Sequence, residues 1–163
     1  MHRYLKKLDE IKISDLDLVG GKNASLGETM HPLNELNLNL PPGYALTTEA
    51  YKDFINENEL GTYIQSILKK KDLSDLKELH TVGQSIREKM LSSQLPKSIT
   101  EATAIAWRNL KRSTDKSFSV AVRSSATAED LSNASFAGQQ ESYLNISNVD
   151  EINKAVLSVY ASL

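Results

Sequence analysis

Three short segments of the 163-residue sequence carry side chains that could bind a phosphorylated ligand. The first is Gly20-Gly21-Lys22, where small residues precede a lysine and a helix-forming run. Backbone N–H groups at a helix N-terminus favour anions, and Lys22 would add a mobile positive charge. The segment is not a Walker loop, because that motif needs a glycine at Leu16 and a hydroxyl at Asn23. Taken alone, a glycine turn with a solvated lysine is the commoner meaning of such a pattern.

The second segment places Arg123 at the end of an apolar, strand-like run, with three hydroxyls in the next four residues. A guanidinium presents paired donors in a fixed geometry and stays charged, so Arg123 could bind two phosphate oxygens at once. It could equally form a structural ion pair with Glu129 or Asp130. The residues alone leave both alternatives open.

The third segment, residues 132–142, is small and polar except for Phe136. It predicts a hairpin tip that closes over a ligand, with N–H donors around Gly138 and hydroxyls from Ser135 and Ser142. An ordinary surface loop is the commoner alternative for this composition.

Both helices and strands are predicted around these segments. After the glycines, good helix formers predict a helix over residues 24–30. Alternating apolar and polar residues predict strands over residues 116–123 and 138–146. We expect the two strands to lie close in space. A structure with Arg123 far from Lys22 would contradict a shared phosphate site.

Four further helices are predicted, and the first of them covers residues 49–58. The longest covers most of residues 74–91, and its core face is expected to carry Leu76, Leu79, Gly83, Ile86 and Met90. Ser98 and Glu101 form a capping-box pattern for a helix that continues to about Leu110, in which Trp107 is a packing residue. Asn148 and Glu151 predict the start of a last helix.

Composition excludes several classes of protein. The 19 basic and 21 acidic residues give a net charge of −2, so no global field favours nucleic acid or an anionic membrane. The absence of cysteine excludes disulfides, thiolate metal sites and a cysteine nucleophile. No secretory signal or apolar run of transmembrane length occurs, so a soluble cytoplasmic protein is expected. His2, His31 and His80 are expected at surface or boundary positions without a catalytic role.

Four motifs together are more specific than any one of them. VGGKNASLGE, PPGYALTTEAY, VAVRSSATAEDL and ASFAGQQESYLN occur in this order along the chain. From about Leu8 to Leu163 the sequence therefore resembles the N-terminal nucleotide-binding domain of phosphoenolpyruvate synthases (pyruvate, water dikinases). Departures are few: Ser132 stands where proline is usual, and Ser142 replaces a common threonine but keeps the hydroxyl.

The resemblance implies an α/β (α+β) fold, the N-terminal portion of an ATP-grasp-like domain over residues 1–163. It implies that Lys22 and Arg123 contact the ATP phosphates, and that the loop around Gly138 and the Ser142 hydroxyl close over the nucleotide. The Mg²⁺ ligands and most adenine contacts are expected beyond Leu163, so no metal site is expected within the chain.

The implied activity is that of a phosphotransferase which converts ATP, water and pyruvate into AMP, phosphate and phosphoenolpyruvate. In the family the phosphoryl group passes through a histidine on another domain, and pyruvate binds to a third. No catalytic residue is therefore expected in these 163 residues, which should be inactive alone. Two alternatives stay open: the ATP-binding portion of a rifampicin phosphotransferase-like enzyme, and a stand-alone nucleotide-binding module without turnover. A homodimeric full-length protein is compatible with the resemblance.

Overall fold

The computed structural model describes residues 3–36, 38, 40–69, 71, 74–114, 118–127, 130–131, 134–135 and 141–163. Short 3-10 turns at Leu8–Glu10 and Ile13–Asp15 accompany the regular elements. In chain order these elements are β1 (Leu5–Lys7), α1 (Leu16–Val19), α2 (Gly21–Glu35), β2 (Tyr44–Leu46), α3 (Thr48–Glu57), α4 (Leu60–Leu68), α5 (Leu76–Leu91), α6 (Lys97–Ser113), β3 (Val120–Arg123), β4 (Asp130–Leu131), β5 (Ala134–Ser135), β6 (Ser142–Ile146) and α7 (Val149–Ser162). Among the helices described, none combines the length and the apolar character that a membrane crossing needs.

The strands form three small antiparallel sheets of two strands each, pairing β1 with β2, β3 with β6 and β4 with β5. The fold is therefore mixed α/β, mostly helical with small sheets, as the sequence predicts in outline. The strand that ends at Arg123 pairs with the strand before the last helix, which confirms the expectation that the two lie close in space.

Two hydrophobic clusters hold these elements together. The larger one lies between helices α3 to α7 and the β3–β6 sheet, and its most deeply buried large side chains are Phe54, Leu60 and Ile99. The smaller one packs Ile11, Val19, Ala24 and Ala45 beneath the start of α2. Because the second cluster includes residues from both sides of Gly20, burial of apolar surface fixes the segment that carries Lys22.

Helix α5 matches its predicted extent, but its predicted core face is wrong in its first half. Leu76 and Leu79 are 79% and 46% exposed, while the buried residues of the helix are Val82 and Met90. Apart from the backbone of its own helix, no atom of the described residues lies within 4 Å of a Cβ placed on Gly83. Periodicity shows which residues share a helix face, but it does not show how far along the helix the neighbouring elements extend.

Helix α6 begins earlier and ends later than predicted. Its N-cap is Pro96, whose carbonyl accepts the Ile99 N–H at 3.0 Å, so Ser98 lies inside the helix and the predicted capping box does not form. Proline supplies no capping side chain, but its carbonyl accepts the N–H groups of both Ile99 and Thr100. Trp107 stacks on Phe118 with ring centroids 4.5 Å apart, which confirms its packing role.

The start of the last helix is confirmed in detail. The Asn148 side chain accepts the Glu151 N–H at 2.9 Å, and the Glu151 carboxylate accepts the Ser147 N–H at 2.9 Å. The hydrogen bond from the Ser147 backbone lowers the pKa of Glu151. Two N-terminal donors are thus satisfied at the point where β6 passes into α7.

Helix α2 is longer than the predicted 24–30 and is seated closely on the N-terminal segment. A Cβ on Gly27 would lie 2.6 Å from the Ile11 carbonyl oxygen, so this glycine lets the two backbones approach. The Ile13 N–H also donates to the Glu28 carboxylate at 2.9 Å. These contacts fix the helix whose first turn carries Lys22.

Candidate functional site

The N-terminus of α2 is docked on the loop that follows β3. The Gly21 N–H donates to the Ala126 carbonyl at 3.0 Å, and the Asn23 N–H donates to the Ser125 hydroxyl oxygen at 3.1 Å. Asn23 and Ser125 are 102 residues apart in sequence. The first and second of the predicted ligand-binding segments are therefore in direct contact.

Gly20 makes this approach possible. Its φ of +80° belongs to a region that side chains rarely adopt, and a Cβ at this position would lie 1.9 Å from the Ser125 carbonyl oxygen. The Gly20 N–H donates to the Leu16 carbonyl at 2.8 Å, and the Asn23 side chain donates to the Val19 carbonyl at 2.9 Å. The turn between α1 and α2 is thus fixed from both sides.

The docking changes how the first segment could bind an anion. The sequence predicts backbone N–H groups at the start of this helix as anion donors, but those of Gly21 and Asn23 are already bonded to the protein's own oxygens. An anion would have to displace these bonds to use the same donors. Lys22, which lies between these two residues, has an exposed side chain.

Arg123 and Ser142 are directly opposite each other in the β3–β6 ladder. Residues in such a pair point to the same face of the sheet, with Cβ atoms about 5 Å apart in typical sheets. Both residues are exposed. A guanidinium and a hydroxyl are therefore presented together on the outer face of this small sheet.

A bulge in β6 contributes to this arrangement. Val120 pairs with Ile146 but Val122 pairs with Tyr143, so β6 carries one extra residue between the two pairs. Within the bulge Asn145 has a φ of +58°, a left-handed conformation that asparagine tolerates better than most residues. The bulge lets Tyr143 and Ile146 both join the core, so that Ser142 remains on the outside beside Arg123.

Lys22 and Arg123 are brought together through their neighbours. Lys22 lies between two residues whose backbone N–H groups bond to the loop at Ser125 and Ala126, and Arg123 precedes Ser125 by two residues. Two exposed cations thus belong to one contiguous assembly of helix start, loop and strand end. Their role in binding a nucleotide stays a prediction.

Other predicted site features fall partly outside the described residues. Gly138 and Phe136 belong to residues 136–140, which the structure does not describe, and the same holds for Glu129. The ion-pair alternative for Arg123 therefore stays open. Ser135 lies in β5, which pairs with β4, so a short hairpin does occupy part of the predicted flap.

Of the three histidines, His80 is exposed on α5, His31 lies within α2, and His2 is outside the described residues. Within the described part of the chain, no three histidine, cysteine, aspartate or glutamate side chains are grouped so that they could hold a metal ion. The role of the histidines stays a prediction.

Two polar pairs lie close in sequence to the candidate residues: Tyr143–Glu141 next to Ser142, and Lys6–Asp15 before the glycine turn. The Tyr143 hydroxyl donates a hydrogen bond to Glu141, and this bond raises the pKa of the phenol. In the N-terminal segment, Lys6 forms an ion pair with Asp15 at 2.5 Å, and its hydrogen bond lowers the pKa of Asp15. The second pair secures the turn that leads into α1 and the glycines.

A groove of about 540 Å³ lies elsewhere, between the turn before β2 and the end of α6. Its lining includes Lys7, Tyr44 and Arg112 but none of Lys22, Arg123 and Ser142. Lys22, Arg123 and Ser142 are all exposed.

Sequence contributed unequally to this site. The residue types predict the glycines, Lys22 and Arg123 as candidate phosphate ligands. Ser125 stands out only as one of three hydroxyls after Arg123. Its bond to Asn23 depends on a contact between distant parts of the chain, for which the residues alone give no signal. In the sequence, only the two successive glycines indicate a close approach of two backbones at Gly20.

Comparison with known proteins gives consistent matches over the whole chain. Residues 16–163 match the family profile described as pyruvate phosphate dikinase, AMP/ATP-binding domain. A phosphoenolpyruvate synthase from Neisseria meningitidis is 43% identical over 161 residues, covering 98% of this chain and 20% of the relative. The corresponding protein of Pseudomonas aeruginosa is 41% identical over 163 residues, covering 100% of this chain and 20% of the relative. A phosphoenolpyruvate synthase from Escherichia coli is 39% identical over 155 residues, covering 95% of this chain and 19% of the relative. The chain thus spans about a fifth of the length of these curated relatives.

Proposed function

The chain belongs to the pyruvate phosphate dikinase AMP/ATP-binding domain family, and on that basis we propose that Lys22 and Arg123 bind the phosphates of ATP. In this proposal residues 1–163 are the N-terminal part of an ATP-grasp-like domain. The phosphohistidine and pyruvate-binding domains belong to other parts of the enzyme. The observation that carries the proposal is the docking of the Lys22 turn on the loop after Arg123.

Charge and geometry support these two residues. A triphosphate carries several negative charges, so its binding requires cations on more than one side. Lys22 offers a mobile ammonium at a helix start, whereas Arg123 offers a planar fork mounted on a strand end. A charge-assisted hydrogen bond to phosphate contributes about 1.5–3 kcal/mol, so each cation matters measurably.

Ser142 and Gly138 complete the proposed site. Ser142 lies opposite Arg123 in the sheet, so its hydroxyl is within reach of a ligand bound by the guanidinium. Gly138, in the preceding loop, would offer backbone N–H donors as the loop closes over the nucleotide. Both roles are carried over from the family motif at these positions.

The proposed whole reaction is that of a phosphoenolpyruvate synthase: ATP, water and pyruvate give AMP, phosphate and phosphoenolpyruvate. The relatives compared above carry this name, which favours the synthase over a rifampicin phosphotransferase. Phosphoryl transfer requires positioning and neutralisation of spreading charge more than covalent chemistry. Lys22 and Arg123 would therefore orient the phosphate chain and stabilise its developing negative charge.

We propose that magnesium binds together with ATP. Among the described residues, no three histidine, aspartate or glutamate side chains form a group that could hold a metal ion. We place its protein ligands in other parts of the full-length enzyme, and we expect weak ATP binding and no turnover by these 163 residues alone.

An NMR titration with Mg-ATP tests the binding site directly, because it measures weak affinities residue by residue. We expect the amide signals of residues 20–23 and 123–126 to shift, and Lys22→Ala and Arg123→Ala each to raise the dissociation constant at least 10-fold. Lys97→Ala and Arg108→Ala are the matched controls, because Lys97 has a 90% exposed side chain and Arg108 contacts its own helix backbone. Equal, small effects of all four substitutions would contradict the proposal.

A further inference from the structure

We propose that Ser125 is a positioning residue that holds Lys22 in place relative to Arg123, so that ATP affinity depends on a hydroxyl that does not touch the nucleotide. This inference rests on the proposed function of Lys22 and Arg123. It adds a residue whose side chain acts on the helix start rather than on the ligand.

The contact geometry assigns this role to Ser125. Its hydroxyl oxygen accepts the Asn23 N–H at 3.1 Å, one residue after Lys22, while the adjacent Ala126 carbonyl accepts the Gly21 N–H at 3.0 Å, one residue before it. Lys22 is therefore fixed on both sides by successive residues of one loop. Of these two bonds, only the one to Ser125 depends on the identity of a side chain.

The surrounding backbone leaves little alternative for this contact. Gly20 approaches the Ser125 backbone so closely that no side chain fits there. The Asn23 side-chain amide donates to the Val19 carbonyl at 2.9 Å, which joins this residue to the end of α1 as well. Removal of the hydroxyl would leave the Asn23 N–H without this acceptor and would free the first turn of α2 to shift away from β3.

Such a shift would change the contacts of Lys22 with a bound phosphate chain. Two cations that belong to different elements act together only while their separation matches the spacing of the phosphates, and small misplacements are costly in such sites. Ser125 joins these elements directly, whereas Lys22 and Arg123 are 101 positions apart in the sequence. A hydroxyl at 125 would therefore control the spacing of the cations.

The test combines amide hydrogen exchange with the Mg-ATP titration on the 163-residue chain. We expect Ser125→Ala to speed exchange of the Asn23 amide and to raise the dissociation constant about 2- to 12-fold, the range of one neutral hydrogen bond. Ser125→Thr retains the hydroxyl and should restore both values. Thr103→Ala is the control for stability alone, because Thr103 donates to Asn153 at 2.6 Å between α6 and α7. It should lower the melting temperature without changing the affinity.

Three other results would overturn the inference. Faster Asn23 exchange with unchanged affinity would reduce Ser125 to a helix cap, and would leave the proposed function intact. Weaker binding with unchanged Asn23 exchange would make Ser125 a direct ligand of the nucleotide. Wild-type affinity in both Lys22→Ala and Arg123→Ala would remove the proposed function and this inference with it, whatever the exchange of Asn23 shows.

Discussion

Gly20 and Ser125 are in contact through their backbones, at a distance that leaves no room for a side chain on Gly20. A Cβ there would lie 1.9 Å from the Ser125 carbonyl oxygen and 2.5 Å from its hydroxyl oxygen. The N-terminal turn and the loop after β3 therefore meet at one point. The position of Lys22 relative to Arg123 depends on this close approach.

The first prediction is that Gly20→Ala lowers the free energy of unfolding by roughly 2–5 kcal/mol. The reason is twofold: the φ of +80° is unfavourable for alanine, and the new methyl group would overlap the Ser125 carbonyl. Urea unfolding followed by circular dichroism measures the change.

Gly83→Ala is the matched control for this substitution. Gly83 lies within α5, and apart from the backbone of that helix a Cβ there would meet no atom of the described residues within 4 Å. Alanine should therefore raise the free energy of unfolding by about 0.5–1 kcal/mol, because it restricts the unfolded chain and favours helix. A similar loss of unfolding free energy in both variants would mean that the close approach at Gly20 has no special effect on stability.

Local signals in the sequence predicted much of this fold. The extent of α5, the start of α7 at Asn148 and the packing role of Trp107 all follow from patterns within a few residues. Such features depend on helix capping and helical periodicity, and both can be recognised in the sequence within a few residues.

The remaining features depend on contacts between distant residues. Leu76 and Leu79 have the spacing of a core face, yet they are exposed because burial depends on where neighbouring elements end. The bulge at Asn145 and the bond from Asn23 to Ser125 likewise form only when separate segments meet. Lys22 and Arg123 could be predicted as candidates from the family motifs, but not the loop that joins them.

A second prediction concerns the hydroxyl of Tyr160, which is buried in the larger cluster. Among the described residues it has no hydrogen-bond partner, and the ring packs against Tyr51 and Phe54 at centroid distances of 5.1 and 5.3 Å. Burial raises the pKa of this phenol, as expected for a group far from water. Tyr160→Phe should therefore raise the free energy of unfolding by about 1 kcal/mol, because it removes an unsatisfied polar group.

The control for Tyr160 is a buried hydroxyl that does have a partner. Thr103→Val removes the bond to Asn153 at 2.6 Å and should lower the free energy of unfolding by about 1–2 kcal/mol. Thermal unfolding of both variants gives the comparison. Destabilisation by Tyr160→Phe would indicate that its hydroxyl has a partner outside the described residues.

A third prediction concerns the pH dependence of the Lys6–Asp15 pair. The hydrogen bond from Lys6 lowers the pKa of Asp15 below the ordinary value of 3.8. A carboxyl with a lowered pKa in the folded state contributes stability above its unfolded pKa, and this contribution is lost as pH falls through the folded pKa. Asp15→Asn should therefore reduce stability at pH 7 and at pH 5 by the same amount, and the difference from wild type should shrink below about pH 4.

Urea unfolding at pH 7, 5 and 3 measures this difference. Glu101→Gln serves as the control, because the Lys97–Glu101 pair is exposed and such surface pairs contribute little. A difference for Asp15→Asn that persists at pH 3 would mean that this residue stabilises the turn by shape and hydrogen bonding rather than by charge.

The last prediction is that the hydroxyl of Ser142, rather than the bulk of its side chain, contributes to nucleotide binding. Ser142 lies directly opposite Arg123, and both are exposed on the same face of the β3–β6 sheet. Ser142→Ala should weaken Mg-ATP binding about 2- to 12-fold, the range for one hydrogen bond, whereas Ser142→Thr should bind like wild type because it keeps the hydroxyl. Ser147→Ala is the control, since its hydroxyl bonds to Glu151 at 3.2 Å just beyond the end of the same strand. In the double variant with Arg123→Ala, the loss from Ser142→Ala should be smaller than in wild type, because neighbours that share a ligand do not act additively. Unchanged affinity in Ser142→Ala, measured by the same NMR titration, would exclude this hydroxyl from the site and restrict the proposed contacts to the two cations and the Gly138 loop.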